Sequence, residues 1–296
     1  MSIATYDLHL HTCWSYDALV EPPDYFRAAD ELGLRAIAVT EHHVIDSLDE
    51  VMAAARGYPR VRVIPAAELT MTTSIGAVDM VCLGFPRPLT PELLKIFEEY
   101  HQWQREAGTA LVRGLQALGL NWTQEDQHEL LESYRPARTI KLQGYTHIKN
   151  ELQREEFRRR GFIADDEGYW PLLQRAWRAT SATRPYPAPA EIVPVLHAAG
   201  VLVSIAHPSG YFQGASRERM DLLRTECMLD GIECASPKTA PELTPVYRQY
   251  CVEHGLVSTA GSDSHTIQDI QTKFARHGGQ EEWLDEVLQR LRAFVP

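Results

Sequence analysis

The 296-residue chain carries 40 Asp and Glu against 29 Lys and Arg, for a formal net charge of −11. So acidic a chain argues against broad nucleic-acid binding, which is built from Lys and Arg against phosphates. It leaves room for a small anionic substrate held by bound cations, whose charge dominates the local field. The length suits one large domain or a domain with a sizeable insertion. The five cysteines are odd in number and no two are spaced C-x-x-C, which speaks against a disulfide framework or a zinc ribbon.

The opening MSIATYDLHLHT lacks a charged segment followed by a long apolar run, so no signal peptide is expected. No apolar stretch reaches the length of a membrane span, and a soluble cytoplasmic protein with no membrane partner is the expectation. Apolar runs rich in β-branched residues predict strands at 4–11, 36–40, 61–69 and 78–84. A helix is predicted over 22–32, with prolines in its first turn, Phe26, Ala29 and Leu32 at helical spacing, and Gly33 at its end. The pattern then changes. From 90 to 187 no strand is evident, and 92–118, 124–133, 146–160 and 167–180 read as helices. Strands return at 201–206, 231–235 and 256–261, with helices over 190–199 and 241–254, each closed by a glycine. Strand, turn, helix, strand is the rhythm of α/β architecture. Seven strands predict a barrel rather than an open sheet, over 1–89 and 188–296, interrupted by a helical domain at 90–187.

Histidines and acids gather where these strands end. The first closes on Asp7-Leu8-His9-Leu10-His11, and residues two apart on a strand share a face, so His9 and His11 can hold one metal together. The second ends Thr40-Glu41-His42-His43, the third Ala67-Glu68, and the fourth contains Asp79. The strand at 201–206 runs into His207-Pro208, and the last ends Gly261-Ser262-Asp263-Ser264-His265. In α/β barrels the strand C-termini converge on one face, so ligands far apart in sequence can form one centre. A lone histidine is more often a hydrogen-bonding residue, and His101, His128, His197, His254 and His277 receive no role. One such motif is weak; several at successive strand ends predict a metal cluster.

These motifs, in this order, resemble those of the PHP family, named for polymerase and histidinol phosphatase. The resemblance covers 1–88 and 190–296 and implies a distorted β/α barrel holding two or three divalent ions, usually manganese, iron or zinc. It implies that His9, His11, Glu68 and Asp263 hold one ion, and that Glu68 bridges to a second completed by His207 and residue 79. It implies that Asp17, His42 and His265 hold a third. The helical insertion looks like that of small phosphoesterases acting on nucleotides and related phosphates. The expected function is hydrolysis, by metal-activated hydroxide, of a small phosphorylated metabolite such as a nucleotide or sugar phosphate, as a monoester or a cyclic or other diester.

Two departures stand out. The family position at 79 usually carries His, whereas Asp79 adds negative charge and favours harder cations. The insertion usually carries Gly-Arg-x-His, but the nearest stretch here is Gln143-Gly144-Tyr145-Thr146-His147-Ile148-Lys149-Asn150, without the arginine. Either its phosphate-binding role passes to Lys141 or Lys149, or the substrate differs. The insertion is expected to act as a substrate-selecting cap through Lys141, His147, Lys149 and Arg184, with Arg138 behind them. Asp7 and His43 are candidates to orient ligating imidazoles or to be merely structural. Two rival functions stand beside the first: an amidohydrolase using the same metal chemistry at a carbonyl, and a non-catalytic metal-binding domain.

Overall fold

The structure is a computed structural model that describes residues 3–180 and 186–293. It divides into two compact units. The first comprises the chain up to Thr12, Val20–Phe97 and the chain from Tyr186 on; the second comprises Cys13–Leu19 and Glu98–Pro185.

Strand β1 (Tyr6–Leu10) opens the first unit, entirely buried. In helix α1 (Pro22–Leu32) prolines fill the first turn, where a missing N–H costs nothing. Gly33 closes the helix at φ 74°, a left-handed conformation that glycine adopts without a Cβ clash. Strand β2 (Ala36–Val39), helix α2 (Leu48–Ala55) and the short strand β3 (Arg62–Val63) complete a parallel sheet in the order β1-β2-β3. Leu10, Tyr25, Phe26, Ile37, Val39 and Val51 form a core against this sheet.

The run 61–69 is therefore not one strand. Pro65 has no N–H to give to a ladder, so β3 ends before it and β4 (Ala66–Thr73) begins after it in another sheet. The chain turns through Ser74 and Ile75 into β5 (Gly76–Leu83), forming an antiparallel hairpin in which Thr70 faces Asp79 and Glu68 faces Val81. Cross-strand partners and residues two apart share a face, which puts Glu68, Thr70 and Asp79 on the same side.

Helix α3 (Pro91–Ala117) begins in the first unit and continues into the second. The second unit holds α4 (Gln124–Glu132), α5 (Ala137–Gln143), α6 (Asn150–Arg159), a 3-10 turn at Asp166–Gly168 and α7 (Tyr169–Thr180). Trp122, Leu115, Leu131, Phe157, Tyr169 and Leu173 make its core. A Cβ on Gly114 would lie 2.2 Å from the Ala176 carbonyl oxygen, so α3 and α7 touch backbone to backbone there. The helix expected over 146–160 starts only at Asn150. Before it, the Thr146 hydroxyl donates to the His147 carbonyl and accepts from the buried Arg135 guanidinium, side-chain bonds that compete with a helical turn. Arg135 also donates to the Trp14 carbonyl at 3.0 Å, and Tyr134 to the Tyr16 carbonyl at 2.6 Å, which ties segment 13–19 to these helices.

The chain returns to the first unit through α8 (Pro189–Ala198), β6 (Leu202–Ile205), α9 (Arg217–Glu226), β7 (Gly231–Ala235), α10 (Leu243–His254), β8 (Val257–Ala260), α11 (Ile267–Thr272) and α12 (Glu281–Ala293). β6 pairs antiparallel with β5, while β7 and β8 run parallel to β6, giving a second sheet in the order β4-β5-β6-β7-β8. The chain is thus a mixed α/β fold with eight strands in two sheets among the described residues, and the distorted (β/α)7 barrel expected from the sequence is not seen there as a closed ring. The hairpin turn is too short for the crossover that a parallel pair needs, so the repeat breaks at β4–β5. The two sheets meet through single bridges, Leu10 to Ser264 and His42 to Glu68, and no continuous ladder closes a barrel among the described residues. No helix there is long and apolar enough to cross a membrane.

One of these junctions is exceptionally tight. A Cβ on Gly261 would meet His9 Cβ at 2.2 Å, its nitrogen at 2.6 Å and its Cα at 2.9 Å. Backbone cannot yield as a flexible side chain does. Gly261→Ala is expected to destabilise the fold by about 1–3 kcal/mol or more and to weaken metal binding by displacing His9. Thermal melting with and without manganese checks both; an unchanged Tm and metal affinity would show that the junction has slack.

Candidate metal centre

His9 sits on β1, and His11 lies just beyond its end. His42 follows β2, Glu68 is the third residue of β4, and Asp79 is the fourth of β5. His207 follows β6, while Asp263 and His265 follow β8. All eight belong to the first unit, and the fold brings their ligand atoms together. Four overlapping groups, each with ligand atoms within 4.8 Å of one another, could hold a metal ion: His9, His11 and Glu68; His9, His207 and Asp263; Glu68, Asp79 and His207; and His11, His42 and His265. Glu68 was expected at the end of a strand; it lies near the start of β4, because that strand runs on into the hairpin.

Glu68 is the centre of the arrangement. Its Oε2 lies 3.3 Å from His9 Nε2, 3.3 Å from His11 Nε2 and 3.1 Å from His42 Nδ1, and its Oε1 lies 3.2 Å from His207 Nε2. Asp263 Oδ1 lies 3.6 Å from His9 Nε2 and 3.3 Å from His11 Nε2. The rings of His42 and His265 flank His11 at 4.3 and 4.2 Å. His207 and Asp263 take positive φ values of 29° and 53°, and His43 takes 64°. Non-glycine residues pay for such backbone, and here the cost falls on the loops that aim the ligands.

The electrostatics match the crowding. Burial alone would depress the His9 imidazolium, but the carboxylates of Glu68, Glu233 and Asp263 outweigh it and hold its pKa well above the ordinary value. His11 is pushed the other way, to about 4, by burial and by neighbouring His265 and His42. Burial works against the charged forms of Glu68 and Asp263, yet the surrounding histidines keep both carboxyls well below their usual range. Among the described residues, His9 Nε2 and Glu68 Oε2 are buried atoms that make no hydrogen bond. They are the two atoms that face each other across the cluster. Buried imidazole nitrogens and carboxylate oxygens converging in this way suit divalent ions of the manganese, iron or zinc kind.

Asp79 is held firmly. Its Oδ1 accepts from Thr70 Oγ1 at 2.6 Å and its Oδ2 from Tyr211 OH at 2.8 Å, 3.9 Å from His207 Nε2. His43 Nε2 bonds Thr70 Oγ1 at 2.7 Å, so His43 supports Asp79 through a threonine. A carboxylate oxygen has two lone pairs, and each Asp79 oxygen retains one beside its hydroxyl donor. Asp79→Asn is expected to lower metal content by about one ion per chain while sparing the His11 side. Elemental analysis checks this, and full retention of metal would assign Asp79 to hydrogen bonding alone.

Asp7 plays no orienting part toward a ring. Its carboxylate accepts the backbone N–H groups of His9, Ser262 and Ala275 and so pins the ends of β1 and β8. The group that holds the rear of a ligand is Glu233 on β7, which the sequence reading passed over. Its Oε1 lies 2.9 Å from His9 Nδ1, and its Oε2 accepts the backbone N–H of His207 at 2.6 Å. An acid in the buried strand Gly231–Ala235 was the available signal, since buried charges need partners. Lys238 was missed too; its ammonium meets Asp263 Oδ2.

Asp17, Lys141, His147 and Lys149 fall in the second unit. Asp17 is half-buried and belongs to none of the four groups. The ring of His147 packs 3.7 Å from that of Tyr16 and 6.1 Å from that of Trp103. Lys141 is exposed near the end of α5, Lys149 caps α6, and Arg138 donates to Cys13 Sγ at 3.4 Å. Arg184 lies outside the described residues.

A mixed α/β fold whose strand-end loops gather histidines and carboxylates around one buried Glu presents a site that could hold metal ions. The PHP domain profile matches residues 7–176, more than half of the chain, and the chain belongs to the PHP family. Two solved structures show how widely the fold extends. A Bifidobacterium adolescentis protein provisionally assigned as a metal-dependent phosphoesterase superposes with a TM-score of 0.71 at 20% identity, covering 96% of both chains. An amidohydrolase from Chromobacterium violaceum, with bound sulfate and no metal, gives a TM-score of 0.74 at 19% identity, covering 98% of this chain and 97% of its own. No curated protein sequence matches the chain.

Proposed function

We propose that the protein is a metal-dependent phosphoesterase that hydrolyses a small phosphorylated metabolite, with two or three divalent ions. The observation that carries this reading is Glu68, one buried carboxylate in reach of four imidazoles that belong to different sets of ligands. In this reading His9, His11, Glu68 and Asp263 would hold one ion, and Glu68, His207 and Asp79 would hold another. His42 and His265 serve a third. Divalent ions supply hydroxide near neutral pH by lowering the pKa of water, and they neutralise charge on a phosphoryl group. The chain's own residues do the rest: Glu233 fixes the His9 ring, and Thr70 and Tyr211 fix Asp79. A substrate-selecting role for Lys141, His147 and Lys149 is part of this proposal. Single Ala substitutions at Lys141 and Lys149 are expected to raise KM in at least one case with metal content unchanged.

The test is a panel of phosphate monoesters, diesters and amides assayed with the purified protein. Phosphate release is expected, lost on chelation and regained with manganese. Hydrolysis of amides without phosphate release would overturn the reading in favour of an amidohydrolase. Metal binding without turnover of any ester would leave a binding domain.

A further inference from the structure

We propose that Lys238 receives the anionic group of the substrate at the metal centre; this rests on the phosphoesterase reading and names the residue that reads its phosphate. Lys238 stands in the turn between β7 and α10. That turn is fixed by a Thr239 N–H donated to the Ser236 carbonyl at 3.0 Å and by their two hydroxyls, also 3.0 Å apart. Its ammonium meets Oδ2 of Asp263, whereas Oδ1 faces His9, His11 and His265 at 3.6, 3.3 and 3.5 Å. The carboxylate is thereby divided, with one oxygen toward the ligand cluster and the other toward the lysine.

Exposure separates the partners. The Asp263 side chain is 3% accessible and that of Lys238 is 60%. The lysine side chain is largely exposed, while its ammonium reaches the buried carboxylate at the edge of the cluster. Neutralising Asp263 does not by itself call for a lysine, because three imidazoles already face that carboxylate. An ammonium has three donors on a flexible stem. It can keep one bond to Asp263 and give the others to oxygens of a bound anion. In a chain of net charge −11 a permanent cation at the rim supplies the local attraction that an anionic substrate needs.

The experiment compares wild type, Lys238→Met and Lys238→Arg, all manganese-loaded. Inorganic phosphate binding is measured by calorimetry and metal content by elemental analysis, with KM and kcat determined for any ester that is turned over. Phosphate binding should weaken about tenfold in Lys238→Met, a change of about 1.4 kcal/mol, and return most of the way in Lys238→Arg. Manganese content should be equal in all three, and KM should rise more than kcat falls. Phosphate bound as tightly by Lys238→Met as by wild type overturns the proposal. So does a loss of manganese, which would place the lysine in the metal site itself. Wild-type protein that binds phosphate through Lys238 yet hydrolyses no ester would sink the phosphoesterase reading and leave the anion site standing.

Discussion

Glu68→Gln is expected to reduce metal content below one ion per chain and turnover by at least about a thousandfold, some 4 kcal/mol in the barrier. The substitution keeps the shape of the side chain and removes its charge. Four ring nitrogens lie 3.1–3.3 Å from the two Glu68 oxygens, and an amide would turn an NH2 donor toward part of that set. The sites that share Glu68 would therefore fail together, unlike in Asp79→Asn, where one ion is lost. Because Glu68 is buried on β4 beside the hairpin, folding must be followed separately by circular dichroism and melting without metal. A folded variant with a full metal complement would refute the bridging role. A folded variant lacking metal and activity would support it.

Much of this centre is legible from residue types and spacing alone. His9 and His11 stand two apart at the end of one strand, and His42, His207, Asp263 and His265 each follow a strand, so the convergence of strand ends predicts their meeting. What escapes the sequence is set by tertiary contact. The hairpin that places Asp79 opposite Thr70 depends on strand direction, which an apolar run does not encode. Pro65 does mark the break between β3 and β4, but its effect is to send the next strand to another sheet, and pairing partners are not local information. Segment 13–19 reads as a loop of the barrel. It groups with the helical unit because the buried Arg135 and Tyr134 bind its carbonyls. Asp7 and Glu233 show the same limit from opposite sides. Asp7 stands next to the His-x-His motif yet serves backbone N–H groups, while Glu233, 224 residues from His9, holds the ring.

Glu233→Gln is expected to weaken metal binding or turnover by about 10–100-fold, the usual cost of losing the partner behind a ligating histidine. Glu233 Oε1 accepts the N–H of His9 Nδ1 at 2.9 Å, so that the neutral ring, the form a metal binds, would present Nε2 toward Glu68 and Asp263. Its Oε2 holds the backbone N–H of His207 at 2.6 Å, and so fixes a residue whose φ of 29° is costly without support. Glutamine can accept with only one end. Either His9 loses its fixed tautomer or the His207 loop loses its anchor. Glu233→Ala removes both acceptors in a site that is 1% exposed. It should cost about 1–3 kcal/mol for each buried donor left unsatisfied and weaken metal binding further than the glutamine does. Manganese titrations of the three proteins, with melts of the metal-free forms, separate orientation from stability. Ordered losses in metal affinity, with Gln intermediate and still near wild-type stability, would support an orienting role. Equal metal affinity in all three would reduce Glu233 to a buried acid that merely satisfies two N–H groups.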